Sequence, residues 1–174
     1  MAIRKILLVT EDNDTLRKVS KPVEKFDSKL HELLDDMAET MYKAKGAGLA
    51  AVQVGVLRRA FVIDTGKRKL EFINPEIIRT GGENKIINEG CLSVPHSVIP
   101  DVDSKVRRPN MVRAKYFDRD GNEQTIKLTG YEAKAFCHEY DHLDGIVFID
   151  WVNKQKGGKV INDDPNNPKR LTVI

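Results

Sequence analysis

Thr129-Gly130-Tyr131-Glu132-Ala133-Lys134-Ala135-Phe136-Cys137-His138-Glu139-Tyr140-Asp141-His142-Leu143-Asp144-Gly145 reads as a single helix that carries chemistry. Thr129 and Glu132 have the spacing of a capping box and Gly145 supplies a stop, so a helix is expected over 129–143. His138 and His142, four apart, lie one above the other on one face, where both imidazoles can reach one cation. Glu139 stands between them, near enough to exchange protons with a metal-bound water. Taken alone, the pattern H-E-x-x-H also fits two ordinary helical histidines, and both readings stand at this point.

The flanking sequence narrows the choice. Zinc proteases with this motif draw a third ligand from downstream. Where one class needs histidine the chain has Phe148, and no methionine follows Met111 to form that class's Met turn. The other class needs a downstream glutamate, but Glu139 is the last in the chain, and Asp150 follows the helix too closely to substitute. Upstream, Glu89-Gly90-Cys91-Leu92-Ser93 offers a thiol beside a glycine that permits a tight turn. A lone cysteine in β-rich sequence is also an ordinary small core residue. A closed, non-catalytic metal site with His96 in the fourth position is the competing function.

A first helix is expected over 27–45. Leu30, Leu33, Leu34, Met37 and Met41 recur at helical spacing, Asp27 is placed as N-cap, and Gly46 ends the pattern. The stripe is core packing. Residues 1–9 read as a first strand or turn. Runs at 60–63 and 70–73 are β-prone, the second closed by Asn74-Pro75, and 111–117 and 125–128 flank the hairpin signal Asp120-Gly121. Strands around two separated helices imply an α+β fold, with antiparallel sheets packed around a central helix that bears the H-E-x-x-H motif.

Composition sets outer bounds. The chain has 174 residues, 40% hydrophobic and 32% charged, with a net charge of +3. That length suits one domain over 1–174, with 152–174 an irregular tail that could end in a strand at 170–174. The charge excess is too small to argue for nucleic acid or an anionic membrane, and no apolar run approaches a membrane span. With no export signal read at the N-terminus, Cys91 and Cys137 are expected as free thiols or ligands and the cytoplasm as the compartment.

Three separated segments resemble those of the peptide deformylases: Gly46-Ala47-Gly48-Leu49-Ala50-Ala51-Val52-Gln53, the Glu89–Ser93 stretch, and His138-Glu139-Tyr140-Asp141-His142-Leu143-Asp144-Gly145. Phe26-Asp27, Glu39-Thr40-Met41-Tyr42 and Ile73-Asn74-Pro75 agree as well, and the resemblance spans roughly residues 3 to 150. It implies removal of the formyl group from new polypeptides, with Cys91, His138 and His142 binding one divalent metal. In that family the metal is ferrous iron, replaceable by zinc, nickel or cobalt. A metal-bound hydroxide would attack the formyl carbon with Glu139 as general base and then acid, and Gln53 and the backbone N–H of Leu92 would stabilise the oxyanion.

The resemblance also implies an N-formylmethionyl peptide as substrate. Gly46 and Gly48 would let its backbone approach and pair edge-on, Ile87, Tyr131 and Ala135 would wall the methionine pocket, and Glu89 joins these substrate-binding positions. Asp141 and Ser93 would orient the ligands, with Arg108 pairing to Asp141. The chain departs from the family at Cys137, where glutamine is common, at His96, and in a longer 96–107 segment. Gly157, Gly158, Pro165 and Pro168 also preclude the basic C-terminal helix by which bacterial members dock to the ribosome, so only a transient ribosome encounter is left open.

Overall fold

The computed structural model describes residues 2–98 and 104–155. Its strands are β1 (Gly48–Ala50), β2 (Ala60–Asp64), β3 (Lys69–Gly81), β4 (Lys85–Asn88), β5 (Lys105–Arg108), β6 (Met111–Phe117) and β7 (Glu123–Thr129). They form an antiparallel five-stranded sheet in the order β1-β2-β3-β6-β7 and a two-stranded sheet of β4 and β5. The helices are α1 (Asn13–Leu16), α2 (Ser28–Lys43), α3 (Gly130–Leu143) and α4 (Phe148–Gln155). No described helix is long and apolar enough to cross a membrane.

Alternation along β2 shows why the large sheet is covered on both faces. Phe61 and Ile63 pack with Phe136, Cys137, Tyr140 and Leu143 of α3, whereas Ala60 and Val62 pack with Leu30, Leu33, Leu34, Met37 and Met41 of α2. The expected apolar stripe of α2 is therefore its buried face. Its start is also as expected: Asp27 accepts from the backbone N–H groups of Lys29 and Leu30, both at 3.1 Å. On the α3 side, Phe61, Phe72 and Phe136 meet with ring centroids 5.0–5.2 Å apart, which fixes the motif helix against the sheet.

Several local expectations need correcting. Asn74-Pro75 does not close a strand, because β3 continues to Gly81 through an irregularity between Ile73 and Glu76. Asn74 tolerates the left-handed φ of 47° there, and its side chain bonds the backbone N–H and C=O of Val23. Thr129 is the N-cap of α3 but makes no side-chain cap bond, and Glu132 reaches Arg68 instead. Gly130, at φ 59°, makes the turn from β7 into the helix.

The N-terminal stretch is not a strand, although Leu7 and Val9 donate backbone bonds to Gln53 and Ser93. Residues 152–155 are not an irregular tail, since α4 runs to Gln155, with Phe148, Trp151 and Val152 in a buried cluster, and the rest of the expected tail lies outside the described residues. The expected closing strand at 170–174 lies outside the described residues.

Candidate metal centre

Helix α3 delivers His138, Glu139 and His142, the turn after β4 delivers Cys91, and a 3₁₀ turn following β1 delivers Gln53. Cys91, His138 and His142 each offer a ligand atom, and these atoms lie within 4.8 Å of one another. Cys91 Sγ is 3.3 Å from His142 Nε2. Ligand bonds of about 2.0–2.3 Å in a tetrahedron put neighbouring donor atoms about 3.3–3.8 Å apart, and the Cys91–His142 distance falls in that range. Among the described residues His96 is not a member of this group, although it lines the same cavity. That removes the support for a closed site completed by His96.

The two imidazoles are prepared differently. His138 Nδ1 bonds Glu89 Oε2 at 2.7 Å, which directs Nε2 toward the ligand cluster. Burial opposes charge on His138, but its bonds to Cys91 and Glu89 outweigh this and hold it well above the usual imidazole range. Burial and the neighbouring His138 hold His142 well below that range, and its Nδ1 has no hydrogen-bond partner. A neutral imidazole is the form that ligates a metal.

Glu139 is buried, its Oε2 has no hydrogen-bond partner, and it lines a cavity of about 340 Å³ that also reaches Cys91 and His138. Burial pushes its carboxyl up to about 7. Gly48 makes room for it: a Cβ there would stand 2.3 Å from Glu139 Oε1 and 2.8 Å from Cδ and Cγ. This glycine, expected to admit substrate backbone, is thus first a requirement for seating the carboxylate. At Gly46 a Cβ would meet the Leu92 side chain at 2.7 Å and the Gly48 carbonyl oxygen at 3.4 Å.

Behind His138 lies a buried chain of charges. Arg108 holds Glu89 through Nε (2.6 Å) and Nη2 (3.1 Å), and Asp141 through Nη1 (2.7 Å), while Trp151 Nε1 donates to Asp141 at 2.7 Å. Burial opposes the charge on Glu89, yet Arg108 and the His138 bond hold its carboxyl well below the usual range. The expected Arg108–Asp141 pair is present. Glu89, placed by sequence among substrate-binding residues, borders the cavity but commits both oxygens to Arg108 and His138.

Ser93 accepts from Gln53 Nε2 at 3.0 Å and so orients Gln53, while the same amide lies 3.5 Å from Cys91 Sγ. Gln53 Oε1 accepts from Ala50 N–H at 2.8 Å. Leu92, Ile87, Ala135 and Tyr131 all border the cavity, and Tyr131, 60% exposed, stands at its rim. Cys137 is buried in the α3 core, as its position 100° around the helix from His138 implies. Sequence reasoning missed Trp151 and two lysines at the mouth, Lys45 and Lys134. The i, i+3, i+4 spacing of Phe148, Trp151 and Val152 was the available signal for α4.

One cysteine and two histidines that could hold a metal, set beside a buried carboxyl at an open cavity, make up the donor set of a metal-dependent hydrolase. Residues 3–157 match the polypeptide deformylase family. The chain is 53% identical over 152 residues to a peptide deformylase of Caldicellulosiruptor bescii, covering 87% of each protein. A crystal structure of peptide deformylase from Thermotoga maritima superposes with a TM-score of 0.78 at 39% identity, over 86% of this chain and 97% of that one. A Met-Ala-Ser-bound structure of class I type b peptide deformylase from Acinetobacter baumannii gives 0.79 at 29% identity, over 86% and 99%. The chain belongs to the polypeptide deformylase family, hydrolases that remove the N-formyl group from newly made polypeptides.

Proposed function

We propose that the protein deformylates N-formylmethionyl peptides at one divalent metal held by Cys91, His138 and His142, ferrous iron natively, with zinc, nickel or cobalt as substitutes. The observation that carries this reading is the meeting of three ligand atoms within 4.8 Å beside the unpartnered carboxylate oxygen of Glu139. When bound, the metal supplies Lewis acidity and an activated water near neutral pH. Glu139 accepts the proton released as the formyl carbon is attacked and returns it to the departing amine, a task suited to a carboxyl near 7. Gln53 Nε2 and the Leu92 N–H donate to the oxygen that gains charge, each such donor being worth about 3 kcal/mol of barrier.

The substrate backbone adds to β1, which ends the sheet order and carries Gly48. Gly46 keeps the approach clear. Ile87 and Ala135 wall the methionine pocket and Tyr131 covers its rim. The Met-Ala-Ser bound by the Acinetobacter baumannii relative supports a short methionyl peptide as the ligand. Glu89, Arg108 and Asp141 position His138, and Ser93 positions Gln53. New polypeptides are the partners, reached in the cytoplasm with at most a transient ribosome contact.

Metal stoichiometry joined to a formate assay tests the reading. Protein loaded with ferrous iron without oxygen should bind one equivalent and release formate from formyl-Met-Ala-Ser, and Cys91→Ala should lose both. Metal-loaded wild type that releases no formate would overturn it.

A further inference from the structure

We infer that Lys45 and Lys134 form a cationic rim that favours peptides with an acidic side chain at the first or second residue after the formyl-methionine. The inference rests on the assignment of the cavity as the peptide site. Both lysines line that cavity, Lys45 from the segment after α2 and Lys134 from α3. Lys134 lies on α3 one turn before His138, a rise of about 6 Å. Lys45 follows α2 and directly precedes Gly46, the first glycine of the segment that leads into β1.

Charge balance at the mouth is one-sided. Among the described residues neither lysine has an acidic partner within salt-bridge distance, whereas Arg59, Arg68, Lys69 and Lys115 each have one. The acids that border the cavity among the described residues are Glu89 and Glu139, and both are buried. Glu89 is held by Arg108 and His138, and Glu139 lies deep beside the ligand histidines. The outer cavity therefore presents positive charge without a balancing acid among the described residues.

Lys45 is held where it is. Its φ of 55° is left-handed, a position that usually falls to glycine after a helix. The chain is locked there by bonds from Lys45 N–H to Tyr42 O and from Gly46 N–H to Met41 O. The helix dipole does not account for the pair. Lys43 already supplies a cation to the last turn of α2, and Lys134 sits in the N-terminal half of α3, where the dipole favours acids.

Reach sets the substrate position. An extended peptide advances about 3.3–3.6 Å per residue. The first residue past the methionine is then about 7 Å from the reacting carbonyl, a distance that a lysine one helical turn from His138 can span. Charge pairs at such an exposed mouth are worth up to about fivefold each and are screened by salt.

The test uses the metal-loaded enzyme and C-terminally amidated peptides, so that charge comes only from side chains: formyl-Met-Glu-Ala, formyl-Met-Gln-Ala, formyl-Met-Lys-Ala and the corresponding formyl-Met-Ala-X series. The ratio of kcat/KM for Glu over Lys peptides should be at least about fivefold at 50 mM salt and shrink toward one at 500 mM. Lys134→Glu should bring it to one or below, and Lys45→Gln should lower it by about half. A wild-type ratio within twofold of one at low salt, or a ratio unmoved in Lys134→Glu, overturns the rim. Absence of turnover with every peptide would instead strike the deformylase assignment itself.

Discussion

Arg108 and Arg119 each tie together two carboxylates from different elements, in opposite surroundings. Arg108, 1% exposed, joins Glu89 to Asp141 behind His138. Arg119, 29% exposed, joins Asp35 of α2 to Glu71 of β3. Water competes for the second set and salt screens it. In the first set removal of Arg108 would leave Glu89 and Asp141 buried without their shared cation, and Glu89 also grips His138. The same chemistry thus serves as a modest surface tie in one place and as the frame of the candidate metal site in the other.

The largest effect that separates the two regions is expected from Arg108→Met. It strands Glu89 and Asp141 in the interior and should cost about 3–5 kcal/mol in denaturant unfolding. A loss below about 1 kcal/mol would erase the distinction from Arg119.

Glu89→Gln should weaken metal binding about 10–100-fold in chelator competition, because His138 loses its charged acceptor. Its pH behaviour sharpens the comparison. The folded Glu89 carboxyl lies below its ordinary value, so its stabilisation is present above the ordinary carboxylate range and is lost as pH falls toward the lower folded value. The metal-free wild type should therefore lose stability more steeply below about pH 4.5 than Glu89→Gln does. Parallel denaturation midpoints from pH 6 to 3 would contradict this.

Arg119→Met should change stability by no more than about 1 kcal/mol, less at high salt, and leave formate release intact.

The sequence exposed those features whose partners are near in the chain or marked by a motif. His138, Glu139 and His142 share one helix, so spacing alone placed them together, and Cys91 came with the Glu89–Ser93 segment. The α2 stripe and Asp27 cap were likewise local. The role of Glu89 was not legible, because its partners Arg108 and His138 lie 19 and 49 residues away. Strand β3 passes through Asn74-Pro75 because Asn74 finds its hydrogen bonds on Val23, 51 residues earlier. Strand β4 is short and mostly exposed, so it lacks the alternation by which strands are read. That Gly48 also makes room for Glu139 was not legible, because nothing local reveals that Glu139 occupies the space beside it.

The most direct measurement is formate release by iron-loaded Glu139→Gln against wild type, with metal content matched and oxygen excluded. The account predicts a variant that keeps one equivalent of iron and loses formate release by at least about 100-fold, since the proton carrier is gone while the three ligands remain. A variant that holds its metal and releases formate at the wild-type rate would contradict it, and would move the proton transfer to another group in the cavity.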